Sequence, residues 1–287
     1  MTDTEMHDNA ALTIEQVEAQ VQHRQARYQM RARTSAVVFP IMTVIGTLLI
    51  WEIVARVFRI PSFLLPAPSV IIASFVENAA LLLKHGWTTT VEIVLGYAMS
   101  IVIGVPLAVA IFMSPVFSRS VLPLLISSQA MPKVAVAPLL LVWFGFGLLP
   151  KVLIAFLIAF FPIVISTAVG LASIEPEKIH LARSMGLGPI ATFFKIRLPS
   201  ALPSVFGGLK ISITLAVVGA VVGEFVGGDA GLGYLLMTAN GSLDTPLLFA
   251  GIFALTVQGV VLYFLVELAE RLAIPRRTAN ATVLGLA

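Results

Sequence analysis

KVLIAFLIAFFPIVISTAVGLA, Lys151 to Ala172, carries no charge after its first residue and is followed closely by EPEKIHLARSMGLGPIATFFKIRLPSALP, Glu175 to Pro203. The first stretch is long enough to cross a bilayer core, which takes about 20 apolar residues. The second is polar, punctuated by Gly and Pro, and leads into another apolar run, Ser204 to Val226. A polar segment between two spans must lie in water on one membrane face. Lys178, Arg183, Lys195, Arg197 and Lys210 place that face in the cytoplasm, because basic residues are retained there.

Composition extends this reading to the whole chain. Of 287 residues, 58% are hydrophobic and 11% charged, with a mean hydropathy of +0.99. So little charge could not coat a soluble domain of this size, whereas lipid-facing helices need none. The apolar runs are continuous and do not alternate, which excludes a transmembrane barrel. The predicted fold class is all-α, a polytopic helical membrane protein of about six transmembrane helices. A net charge of +3 would suit a nucleic-acid partner only if the charges were clustered on one surface. They sit in loops and report topology instead, so no nucleic acid is expected. The absence of Cys excludes disulfides, Cys-ligated metals and thiol chemistry.

The spans read as Ala36–Val57 outward, Thr88–Met113 inward, Val121–Gly145 outward, Lys151–Ala172 inward, Ser204–Val226 outward and Pro246–Leu268 inward. Both termini then fall in the cytoplasm. Arg56, Arg59, Lys84, Lys133 and Lys151 are the basic residues assigned outside or within spans, and all others are cytoplasmic, the asymmetry that retention of basic residues inside predicts. Four segments follow: a cytoplasmic tail, 1–35; the first span with its external connection, 36–86; a membrane domain holding the other spans, 87–272, with a loop at 173–203; and a cytoplasmic C-terminal tail, 273–287. In the first tail Thr13 and Gln16 form a capping-box pattern ahead of Ile14, Val17 and Val21, which reads as a surface helix or as a frayed terminus. The external connection carries a short amphipathic helix near Val70–Leu83. Pro132 and Pro138 fall inside the third span, where the carbonyls they free need partners, so that span is expected to face protein or a cavity. Neither an internal repeat nor a low-complexity tract is evident.

Read physically, the Glu175–Pro203 loop is two short helices with hinges. Pro176 suits a first helical turn, Glu177 favours the N-terminal end of the dipole, Arg183 the C-terminal end, and Gly186 an αL cap. About ten helical residues would span roughly 15 Å. Gly188-Pro189 starts a second helix with Phe193, Phe194 and Ile196, which Leu198-Pro199 ends before Pro203 opens the next span. Such a helix at the base of two spans is a lever, and its length and punctuation exceed what a connection requires.

The loop resembles that of the permeases of binding-protein-dependent ABC importers, which run Glu-Ala-Ala, three residues, Gly, nine residues, Ile, one residue, Leu-Pro. Here His180-Leu181-Ala182 is followed at the same intervals by Gly186 and by Ile196-Arg197-Leu198-Pro199. Leu65-Pro66-Ala67-Pro68-Ser69, Gly96-Tyr97, Gly104-Val105-Pro106-Leu107, Met131-Pro132-Lys133, Trp143-Phe144-Gly145 and Gly231-Leu232-Gly233-Tyr234 are similar to the nitrate/sulfonate/taurine branch of the family. The resemblance covers roughly Trp51 to Arg277. It implies a second permease copy as a homodimer partner, two cytoplasmic ABC ATPase subunits on the loops, and a periplasmic or extracellular solute-binding protein. It also implies a bacterial cytoplasmic (inner) membrane, and a small organic or inorganic anion such as a sulfonate, taurine or nitrate as solute, or a pyrimidine vitamin precursor. The sequence lacks a G-x-x-x-x-G-K-[ST] loop, so this subunit is expected to be no enzyme and to hold no cofactor, with ATP and Mg used by the partner.

The resemblance assigns the ATPase contact to Glu177, His180, Leu181, Ala182, Arg183, Met185, Gly186, Ile196, Leu198 and Pro199. One residue departs from the pattern: His180 stands where the family places Glu. Either Glu177, on the same helical face, supplies the carboxylate, or the contact is mainly apolar through Leu181, Ala182 and Met185. Gln129, Lys133 and Glu224 are the candidate translocation-pathway residues, since ionisable groups within spans are costly and need a reason. Lys133, placed near mid-bilayer by its distance from Val121, either faces the cavity or pairs with a carboxylate or carbonyl. Glu224 and Glu52 fall near outer span ends, where an interfacial position costs little; Glu92 and Gln258 are weaker candidates. A secondary carrier is disfavoured because paired intramembrane carboxylates are not evident. An intramembrane enzyme is disfavoured because His7, His23, His85 and His180 lie in tail or loops and no span carries a His/Asp/Glu cluster.

Overall fold

The computed structural model describes residues 38–39 and 41–274. The expected N-terminal surface helix and the arginines Arg276 and Arg277 lie outside them. Among the described residues all regular structure is helical, and the chain divides into two units, Met1–Ser69 and Val70–Ala287.

The described part of the first unit is α1, residues 41–57, and the turn after it. Phe39, Met42, Leu49, Ile50 and Val57 are exposed along it, as a lipid-facing helix requires. Glu52 pairs with Arg56 one turn on and accepts from the hydroxyl (2.8 Å) and backbone N–H (3.0 Å) of Ser69. Its charge is spent on pinning the Pro-rich turn.

The second unit contains α2 (Pro68–Glu77, beginning at the boundary), α3 (Ala79–Met113), α4 (Pro115–Gln129), a 3-10 turn (Lys133–Val136), α5 (Ala137–Phe144) and α6 (Leu148–Ala172). After these come α7 (Pro176–Ser184), α8 (Pro189–Thr192), a π turn (Phe193–Arg197), α9 (Leu198–Gly227), α10 (Leu232–Gly241) and α11 (Thr245–Ala273). The core lies where α6 packs between α3 and α9. Ala155 of α6 is fully buried, and a Cβ at either Gly96 of α3 or Gly219 of α9 would stand 2.6 Å from an Ala155 carbon. Small residues let the three backbones approach, the usual source of helix association where lipid removes the hydrophobic drive. The Tyr97 hydroxyl donates to the Leu209 carbonyl (3.2 Å), tying α3 to α9, and a Lys210–Glu270 ion pair ties α9 to α11.

Three sequence expectations change. The span Val121–Gly145 is not one helix: α4 ends at Gln129, and the pair formed by α4 and residues 133–144 bends by 88°. Pro132 lacks the N–H that would continue the ladder and disfavours helix before it. The second span begins at Ala79 and not at Thr88, taking in Lys84 to Gly86, and the external helix is Pro68–Glu77 and not Val70–Leu83. Leu198-Pro199 does not end a helix, nor does Pro203 begin one. Leu198 N–H donates to the Phe193 carbonyl in a π turn, and the chain runs on into α9 with Pro199 in its first turn and Pro203 inside it. One five-residue turn absorbs the hydrogen bond that Pro199 cannot donate. Among the described residues four helices are long and apolar enough to cross a membrane, or five with the bent pair counted as one; α1 adds a further apolar helix.

Candidate functional site

The loop after α6 has the geometry its sequence predicts at its centre. α7 opens on Pro176 with Glu177 in its first turn and closes with Arg183 in its last. Gly186 adopts φ +78°, its N–H donating to the Arg183 carbonyl (2.9 Å) while Leu187 N–H reaches Ala182 (3.0 Å). These two bonds are the Schellman arrangement, and they satisfy carbonyls that a helix end would leave open.

α7 presents one face outward. Glu177, His180 and Leu181 are exposed together, as residues three and four apart must be. Leu181 (63%), Met185 (72%), Ile190 (75%) and Phe194 (61%) are apolar side chains left in the open on an otherwise polar loop. Arg183, Gly186 and Pro199 are exposed as well, and Ile196 and Leu198 are half-buried. Ala182 departs from expectation: it is buried (2%) and faces the chain, so it is unavailable to a partner. Arg197 turns inward, its guanidinium 4.8 Å from the Phe112 ring centroid at the end of α3. That contact fixes the loop to the bundle.

The candidate pathway residues are not brought together. Gln129 is exposed at the end of α4. Lys133 stands at the break before α5, its ammonium 4.6 Å from the Phe161 ring centroid. The depth counted along an unbroken helix therefore does not apply to it. Glu224, near the end of α9, is not open to a cavity: it is buried (1%), accepting from the Thr89 hydroxyl (2.6 Å) and from the backbone N–H of Gly233 at the start of α10. Gly231 (φ +113°) sits against the same carboxylate, where a Cβ would collide with it.

Beside Glu224 lies a cluster that sequence reasoning missed. Lys151 of α6, buried, is 3.1 Å from Glu92 of α3 and 3.4 Å from Asp229 of the α9–α10 connection. Asp229 is held below the usual carboxylate range, first by its own backbone N–H and then by Lys151. His85 Nδ1 accepts from Gly231 N–H (3.0 Å), so that nitrogen carries no proton. Intramembrane carboxylates are thus gathered after all, but around a lysine. Among the described residues no group of His, Asp and Glu is arranged to hold a metal. The signal available was three charged residues, Glu92, Lys151 and Glu224, in three different spans; depth along a span does not tell which way each points.

Residues 100–278 match the family described as binding-protein-dependent transport system inner membrane component. The chain belongs to this family. Its permease relatives include the formylaminopyrimidine transport permease ThiX of Halalkalibacterium halodurans, 35% identical over 83% of this chain and 95% of that one. The riboflavin transport system permease RibX of Chloroflexus aurantiacus is 36% identical over 81% and 88%. The taurine transport system permease TauC of Escherichia coli is 28% identical over 84% and 88%. The MetNI methionine ABC transporter, solved in inward-facing conformations, shares the fold, with a TM-score of 0.59 at 22% identity over 68% of this chain and 97% of that chain. This permease is therefore the membrane component of an ABC importer, a multi-pass inner-membrane protein in a family that works with ATPase and binding-protein partners.

Proposed function

We propose that the chain moves a small solute inward by alternating access, with two ATPase subunits gripping α7 from the cytoplasm and a second copy of the chain completing the pore. The observation that carries this reading is the set of exposed apolar side chains along the loop between α6 and α9: Leu181 on the capped α7, Met185 at its C-cap, Ile190 on α8 and Phe194 in the π turn. Solvent-facing apolar side chains on a charged loop suit a docking surface. ATP and Mg are bound by the ATPase, external solute is delivered by a binding protein, and both termini are cytoplasmic.

With Ala182 buried, the docking contact is carried by Leu181 and Met185, and Glu177 stands on the same face as His180 to meet a basic group. Co-purification of the ATPase with Leu181→Ser/Met185→Ser is expected to fall about tenfold or more, as for truncated interface anchors. Retained co-purification with this variant would refute an apolar contact, and an undiminished ATPase yield with Glu177→Ala would refute the carboxylate.

The more similar of the relatives above are named for a formylaminopyrimidine and riboflavin, which favours a nitrogen heteroaromatic solute. An anion such as taurine, another sulfonate or nitrate is the second reading, favoured by Lys133 at the helix break. ATP-dependent uptake into proteoliposomes with the cognate binding protein, competed by each class, separates them. Competition by a sulfonate alone would reverse the preference.

A further inference from the structure

Away from α7, the second unit contains one buried ammonium that joins the inside of the bundle to its surface. Lys151 (side chain 3% exposed) pairs with Glu92, which is fully buried and has the Glu224 carboxylate as its other close neighbour. It also reaches the Asp229 carboxylate (3.4 Å) and the Ala230 carbonyl (3.3 Å), and Asp229 is 88% exposed. Glu224 is committed elsewhere, to Thr89 and Gly233. The next residues of the same connection are held in turn: Gly231 N–H by His85, Leu232 N–H by Thr89 (2.8 Å) and Gly233 N–H by Glu224. A short connection between two helices needs none of this, and it stands at the opposite end of α9 from the loop at α7.

The two halves of the lysine bridge differ in strength. Water competes for the exposed Asp229, as it does for any surface ion pair, but not for Glu92, whose uncompensated burial would be costly. The bridge therefore opens at Asp229 and holds at Glu92. We propose that Lys151 is a positioning residue for transport: anchored on Glu92, it holds the 229–230 connection closed against the bundle and releases it at Asp229 when the spans rotate. This rests on the alternating-access reading above.

The native chain has no Cys, so an Ala230→Cys background gives a single label site on a half-buried residue. In the assembled transporter in membrane vesicles, Lys151→Met/Glu92→Gln removes the buried ion pair at similar volume, which preserves folding in comparable cases, and leaves Glu224 on Thr89 and Gly233. Labelling of the cysteine by a membrane-impermeant maleimide is expected to rise roughly tenfold, the worth of one lost charge-assisted bond. Solute uptake falls while ATP hydrolysis and the thermal midpoint hold. Labelling and uptake equal to the parent would overturn the proposal and leave Lys151 as charge balance for Glu92. Asp229→Asn, a surface change that cannot compromise the core, is expected to raise labelling several-fold; unchanged labelling there overturns it equally. A parent transporter without ATP-dependent uptake would instead count against the importer reading, and the labelling comparison would still stand.

Discussion

Thr89 shows how little a single residue reveals before its neighbours are known. In the sequence it is the second of three threonines after Trp87; in the structure its hydroxyl donates to buried Glu224 and accepts from Leu232 N–H. Thr89→Val leaves the Leu232 N–H and one Glu224 oxygen buried without their partner, the other oxygen keeping Gly233, at about 1–3 kcal/mol each, so thermal unfolding in detergent is expected several degrees lower, with Thr89→Ser close to the parent. Gly231→Ala is expected to be worse. Its φ of +113° is strained for any side chain, about 1–3 kcal/mol, and its Cβ would collide with the Glu224 carboxylate. Poor accumulation of folded protein, against normal accumulation for Gly188→Ala in open space, checks this. The sequence placed Glu224 near an outer span end but could not show that it is buried, because position along a span gives depth and not direction. One partner, Thr89 of α3, is 135 residues away in the chain, and the other, Gly233, lies across the turn into α10.

At the scale of elements, the caps of α7 were legible because they are local: Pro176, Glu177, Arg183 and Gly186 each act within one turn of themselves. The join into α9 was not legible, because a proline reads as a stop until its missing bond is seen to be absorbed by the Phe193–Arg197 π turn. Pro199→Ala restores the donor and lets the ladder regularise, which would rotate α7 and α8 relative to α9 by about 100° per residue of register. Thermal stability is expected to hold or improve slightly, while stimulation of ATP hydrolysis by solute-loaded binding protein drops several-fold. Equal stimulation would mean that the π turn does not aim the loop. The break at Pro132 was expected to find protein or cavity around it. Pro132 and Pro138 are exposed and no residue of α4 is buried, so within this chain that covering is not found at the prolines, although Lys133 beside them rests on the Phe161 ring.

For the whole molecule, the predicted sidedness follows from the distribution of Lys and Arg and is tested with the same cysteine-free background. Ser184→Cys is expected to react with an impermeant thiol reagent only in inverted vesicles, and Ser242→Cys, in the exposed turn before α11, only in intact cells or spheroplasts. The reverse pattern would place α7 outside and remove the ATPase from its reach. Hydropathy and local turn chemistry by themselves determined that this is a helical membrane protein with a capped loop between its spans, because both are written in residues a few positions apart. Only the tertiary structure decided that Lys151 meets Glu92 and Asp229, that Glu224 is buried against α10, and that residues 130–132 turn the chain through a sharp bend. Those depend on how each helix is rotated about its axis, which is set by packing between Gly96, Ala155 and Gly219 and by no signal within any one of the helices.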